Sequence, residues 1–403
     1  MNPNGIRTKN NANMNTSSPF ETVTSLPIPL QHTQCVVHNN EIIICGGAKE
    51  RACYSYHALK QQYKFVCAYP KYAELYGHCV VKRVKKENPN DITLFSFGGQ
   101  VKKQKHTLIM KYVSVWDYKD KNGSGPIIPN KWIFFTDKNN KPMCIGRYED
   151  NYAGVRAVIG GRNNHLLFIT YPPKHIDVFN LDTFQYVTNA TLPTDIPNKI
   201  KYHCFVANTK KSQSEMKIDA MLLFCKNTGL SIEYDEEKNA FEFHRLRVCT
   251  TIRQCVSYGY ACVKNCIFFF GGEYSDEGNN SREVHRYSIT ENAWMKFEQN
   301  LPISLSGCVG ILTESKKCVH IIGGYDGDKE VPTHMKTRVK KWMKGAREIE
   351  KQWIIEEEEK RYIEEMYKDI EEMKDSLDIQ KLKKKKKGKK IQKKKKKKKR
   401  MLM

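Results

Sequence analysis

"CIFFFGGEYSDEGNNSREVHRYSITENAWMKF" (Cys266–Phe297) sets three phenylalanines against a pair of glycines, then a polar stretch, then Tyr287 and, seven residues on, Trp294. A short apolar run that stops at glycine is too brief for a helix and fits a strand buried on both faces. A large residue on each side of a polar turn suits cross-strand packing in a hairpin.

The same marks recur along the chain. Apolar runs end in Gly-Gly at "IIICGG" (42–47), "LFSFGG" (94–99), "FFFGG" (268–272) and "VHIIGG" (319–324), giving Gly46, Gly47, Gly98, Gly99, Gly271, Gly272, Gly323 and Gly324. A fifth doublet, Gly160–Gly161, reads as out of phase, because the strand-like "HLLFIT" (165–170) still lies ahead of it. Seven-residue pairs stand at Tyr56 and Tyr63, Phe179 and Tyr186, Tyr234 and Phe241, Tyr287 and Trp294, and Met335 and Trp342. Placing a further unit at "KYVSVW" (111–116) gives steps of roughly 50–65 residues. A third mark lies upstream: "QCVV", "HCVV", "HCFV", "ACVK" and "GCVG" place Cys35, Cys79, Cys204, Cys262 and Cys308 at one point of five units.

Each unit then reads as four short strands, and six such units are the sequence form of a β-propeller. Gly-Gly followed by Tyr and, seven residues later, Trp resembles the kelch repeat. The resemblance covers residues 20–343. It is close in the first, fifth and sixth units and partial in the second, where Asp117–Asn130 is inserted before Trp132. It is degenerate in the third and fourth, where "TYPP" (170–173) and "CKNTG" (225–229) replace the glycines. The expected fold is all-β, a six-bladed kelch-type β-propeller.

A ring must also close. "FETVTSLPIPL" (20–30) resembles "WMKFEQNLPISL" (294–305), so residues 20–26 are expected to complete the sixth blade and leave no open edge. The alternative is that Trp342 begins that strand and residues 20–26 drape over it.

Charge divides the chain differently. The 403 residues carry a net charge of +24. Residues 381–400 hold sixteen Lys and Arg without an acid, whereas 348–380 hold thirteen acids against five bases. The reading is a segment 1–19, polar and disordered, then a moderately basic propeller, a charged α-helix over 344–380 and a disordered polylysine tail over 381–403. Ile363, Met366, Ile370, Met373 and Leu377 fall at helical spacing, a seam of about two heptads and shorter than a coiled coil needs. Glu356/Lys360, Glu357/Arg361 and Glu364/Lys368 are acid-first i,i+4 pairs. The tail repels itself, and it suits nucleic acid, anionic lipid or nuclear import, or serves only as a solubilising counter-charge.

The fourteen cysteines show no paired framework and sit among apolar residues, which reads as free thiols in a reducing, cytoplasmic setting, with the tail permitting nuclear entry. No apolar run approaches the ~20 residues of a membrane span. A ring of cysteines at one level of the channel would suit a soft metal, but small residues are also what crowded inner strands require. Cys262 and Cys266 lack a second pair at zinc-finger spacing. A copper oxidase with a kelch-like propeller exists, yet the histidines here scatter, and no P-loop or H-E-x-x-H occurs. His78 and His203, preceding register cysteines, are expected in channel packing. No catalytic residue, cofactor or metal is expected.

What remains is a binding platform. Loops after each second strand and between blades share one face, bringing together 49–52, 102–106, 273–282 and 325–331. Arg51, Lys102, Lys103, Lys105, Arg253 and Arg282 would steer an acidic protein partner there. Kelch proteins include ubiquitin-ligase receptors, actin binders and scaffolds; nineteen residues before the propeller leave no room for a BTB or F-box module. The resemblance thus implies a non-catalytic scaffold or adaptor. Tethering through the tail and an enzyme at the channel mouth are the competing readings, and the oligomeric state is not encoded in any of these marks.

Overall fold

In the computed structural model, the described residues are 18–400 except 85–87, 100–104, 117–129, 195–198, 209–217 and 276–277. The chain divides into two units, Met1–Gly345 and Ala346–Met403.

Within the first unit, each run that ends in Gly-Gly is the second strand of a four-stranded antiparallel sheet: Glu41–Cys45, Ile92–Gly98, Cys266–Phe270 and Cys318–Ile322. Leu166–Tyr171 and Ile218–Cys225 take that place in the third and fourth sheets. Glu41–Cys45, Leu166–Tyr171 and Cys266–Phe270 are buried at every residue, as expected of strands sandwiched between neighbouring sheets. The inner strands, Gln34–His38, His78–Val84, Arg156–Gly160, Cys204–Ala207, Gly259–Val263 and Val309–Leu312, surround the axis of a six-bladed propeller. Gly160 closes an inner strand and Gly161 lies in the hairpin after it, so that doublet is indeed out of phase.

The seven-residue pairs are cross-strand partners. Tyr56 faces Tyr63, Phe179 faces Tyr186, Tyr234 faces Phe241 and Tyr287 faces Trp294. Their ring centroids lie 4.9, 5.2, 4.9 and 5.1 Å apart. Two residues before each second aromatic, Gln61, Phe184, Asn239 and Asn292 take positive φ and turn the chain. Tyr234 and Tyr287 donate from Oη to Oδ1 of Asn239 and Asn292, at 2.9 and 2.8 Å, fixing those turns.

Trp342 breaks the pattern. Lys340 stands where the turn residue should be, and Val339–Trp342 is a helical turn rather than a strand. The outer position is already filled: Phe20–Thr22 pairs with His334–Arg338, setting Phe20 against Thr337 and Thr22 against Met335. The N-terminal segment therefore closes the ring, and Trp342 does not begin a strand. Its ring packs on Phe20 and Phe297, at 5.4 and 4.7 Å, while Nε1 donates to Thr337 Oγ1 at 2.7 Å.

The glycines allow the blades to approach. Gly271 and Gly323 both have φ +63, and a Cβ on either would lie 2.3 Å from a linker carbonyl, that of Leu305 or Leu30. Those carbonyls accept from Gly272 N and Gly324 N at 2.8 and 2.7 Å.

The second unit contains the helix Glu348–Arg400, with side chains described to Lys374. Glu348 and Glu350 occupy its first turn, and Glu350 accepts from Arg347 N at 2.8 Å. Its ion pairs include Arg361–Glu358 at 2.9 Å and Lys360–Glu357 at 3.8 Å. Ile363, Met366, Ile370 and Met373 are exposed. Over 375–400 the helical backbone alone is described, so the side chain of Leu377 and the disorder expected for 381–403 lie outside what the structure describes, as do residues 1–17. Among the described residues no helix is long and apolar enough to cross a membrane.

Candidate functional site

The channel comes first because the sequence sets five cysteines at one point of their units, where either a thiol ring or small wall residues would fit. Relative to the first glycine of each doublet, Cys79 pairs one residue before it, Cys35 two and Cys262 four, while Cys308 precedes its strand. At about 3.3 Å per residue that offset spreads the sulfurs over several residue lengths of the axis. Four of the five line the axial cavity; Cys204 does not. Burial raises the thiol pKa of Cys79 and Cys262 to about 11 and of Cys308 to about 12. These are protonated, small, apolar wall residues, and the one-level thiol ring does not form.

His78 and His203 belong to the joints between blades. His78 is wholly buried, with Nε2 2.9 Å from the Cys45 carbonyl oxygen and Nδ1 2.9 Å from that of Leu75. His203 Nε2 lies 2.7 Å from Thr170 Oγ1, and Tyr258 Oη donates to the Phe224 carbonyl at 2.7 Å. In all three cases the start of an inner strand is tied to the end of the preceding blade's second strand. Burial lowers the pKa of His78 to about 4, so it acts as a neutral latch.

The cavity itself measures about 360 Å³ and carries one charged side chain, Arg156, which sequence reasoning missed. Its Nη1 donates to the Val155 carbonyl at 2.8 Å and its guanidinium stands 6.0 Å from the Tyr202 ring centroid. His32, on the same wall, has its pKa lowered to about 3 by burial and then by the Arg156 charge.

On the face bearing the Gly-Gly loops, the cations named from sequence are spent unevenly. Arg253 Nε donates to the Val248 carbonyl at 2.7 Å and Arg282 Nε to that of Leu301 at 2.8 Å, so both pin the linkers between blades. Lys105 Nζ donates to the carbonyls of Asp150 and Tyr148, at 2.7 and 3.1 Å. Arg51 is exposed. Lys102 and Lys103 lie outside the described residues.

Around Lys105 the structure assembles a surface that no single sequence window reveals, from the linkers on either side of the second blade and that blade's outer strand Ile133–Phe134. Tyr72 and Phe134 stack at 5.4 Å with rings inclined by 6°, although each is about half exposed, at 53%. With Met143, Cys144 and Lys105 they line a cleft of about 340 Å³. Tyr148 is 69% exposed beside Lys105, and the exposed Tyr76 leans on His32 at 5.9 Å, toward the channel. Exposed aromatic rings gathered this way are costly in water unless something covers them.

The opposite face holds a basic concentration that was also missed. Lys264, Lys316, Lys317, Lys336, Arg338 and Lys340 surround a depression of about 780 Å³, with Glu21 as its acid, 3.8 Å from Lys336 and 3.7 Å from Arg338. Among the described residues, the group with metal-ligand potential is Glu233, Glu242 and His244, on the third and fourth strands of the fourth blade.

No family model matches this chain, and no curated protein does. The solved structure of YjhT superposes with a TM-score of 0.52, covering 77% of this chain and 95% of that one at 12% identity. That likeness extends to the fold.

Proposed function

We propose that the chain is a kelch-type, non-catalytic scaffold that docks a protein partner on the face bearing the Gly-Gly loops. One observation carries the reading: Tyr72 and Phe134 remain stacked and half exposed over a cleft lined by Met143 and Cys144. Aromatic side chains on a rigid frame are what binding hot spots are made of. Arg51 at the periphery favours a partner with acidic residues around an apolar anchor; Arg253, Arg282 and Lys105 contribute by holding the linkers still.

Cys144 is the exposed cysteine of the fourteen and lines this cleft, so a benzophenone maleimide attached there probes the surface directly. Illumination in cell extract should yield a discrete crosslinked protein, lost on Tyr72→Ser with Phe134→Ser. The same probe at position 317 of a Cys144→Ser chain should not yield it. Equal capture from both faces would sink the reading.

A second reading rests on the six cations around the 780 Å³ depression. They favour a polyanion or anionic membrane on the opposite face, as the basic tail does by its own charge, and binding there would collapse between about 50 and 200 mM salt.

A further inference from the structure

The axial cavity places a cation in the middle of the propeller without an anion to match it. Arg156 opens the inner strand of the third blade, and the cavity wall that it joins contains no Asp or Glu. Its hydrogen bond to the Val155 carbonyl uses one of five guanidinium N–H donors, and no carboxylate pairs with it among the described residues. His32 shares this wall: its ring centroid lies 4.5 Å from that of Tyr202, the same ring that the Arg156 guanidinium approaches at 6.0 Å. The imidazole stays neutral beside Arg156 and adds an N–H donor without adding charge.

We propose that this cavity binds a small oxyanion, a carboxylate or phosphate group, held by the Arg156 guanidinium with the His32 imidazole as a second donor. A planar guanidinium offers paired N–H donors to two oxygens of such a group. At about 360 Å³ the cavity falls within the size of small-molecule sites. His32, Ser257 and Gly307 line it from the segments that lead into the inner strands, so the anion approaches from the side of the Gly-Gly loops. It arrives either as a free small molecule or as the carboxylate of an inserted peptide. The site does not depend on the docking reading, since Tyr72, Phe134, Met143 and Cys144 are not among its walls.

The test is calorimetric titration of the full chain at fixed ionic strength, with chloride as the reference salt. The probes are succinate, inorganic phosphate, and an acidic peptide compared with its form amidated at every carboxylate. At least one probe should bind saturably at a single site, weakened about tenfold by Arg156→Gln and several-fold by His32→Phe, with partial retention in Arg156→Lys. Binding of succinate or phosphate identifies a free ligand; binding of the acidic peptide alone identifies a partner's carboxylate. Either result supports the site. No saturable binding by any probe, or unchanged binding in variants whose melting curves match the parent, overturns it. Should Arg156→Gln fail to fold, His32→Phe and Arg156→Lys decide the question alone.

Discussion

Replacing Gly271 by alanine should cost far more than making the same change at Gly278, although both glycines sit in one loop region with nearly equal φ, +63 and +67. Left-handed backbone costs an L-residue about 1–2 kcal/mol at either position. At Gly278 nothing lies within 4 Å of the added Cβ, so the cost ends there. At Gly271 the Cβ would stand 2.3 Å from the Leu305 carbonyl oxygen. That oxygen already accepts from Gly272 N at 2.8 Å, and moving it loosens a bond worth about 0.5–1.5 kcal/mol while shifting the linker into the sixth blade. The expected loss is therefore about 3 kcal/mol or more for Gly271→Ala, against about 1–2 for Gly278→Ala. Urea unfolding followed by tryptophan fluorescence measures it, with Trp294 reporting from the same blade. Equal midpoints for the two variants would refute the claim that close blade approach fixes this glycine.

Phe20→Ala should remove about 3–5 kcal/mol by emptying the contact with Trp342 and Phe270, at 5.4 and 6.4 Å. Amide exchange should then quicken across His334–Arg338, and unchanged protection there would contradict closure by the N-terminal strand. Stability should also fall in acid. Burial lowers the pKa of His78 and His320 to about 4 and of His106 to about 3. The folded chain keeps these imidazoles neutral while the unfolded chain binds protons below about pH 6.5. Stability is thus full above that pH and is lost toward pH 4, by about 1.4 kcal/mol per pH unit for each histidine. Proton uptake on unfolding at pH 5 reads this directly; a flat profile from pH 7 to 5 would exclude it.

The fold was legible because its marks are local. Gly-Gly after an apolar run, and an aromatic on each side of a hairpin turn, both record backbone constraints that act within a few residues. Trp342 misled because the seven-residue spacing survives there while the turn residue does not: Lys340 replaces the asparagine that Asn239 and Asn292 represent. The level of each cysteine was not legible, because a shared position in the sequence unit does not set strand register, which is fixed by pairing. The site was harder to read. Tyr72 and Met143 come from the linkers on either side of the second blade and Phe134 from its outer strand, so their proximity depends on how blades one, two and three pack. Arg156 lies in the unit whose glycines are out of phase, so no repeat alignment placed it on the axis.

The most direct test of the scaffold account is a pull-down from cell extract with residues 1–345 and the full chain side by side, at about 50 and 200 mM salt. The account predicts a protein retained by both chains at the higher salt and lost when Tyr72 and Phe134 are changed together to serine. Capture by the full chain alone, of nucleic acid or acidic lipid that washes off with salt, would contradict it and move the function to the tail.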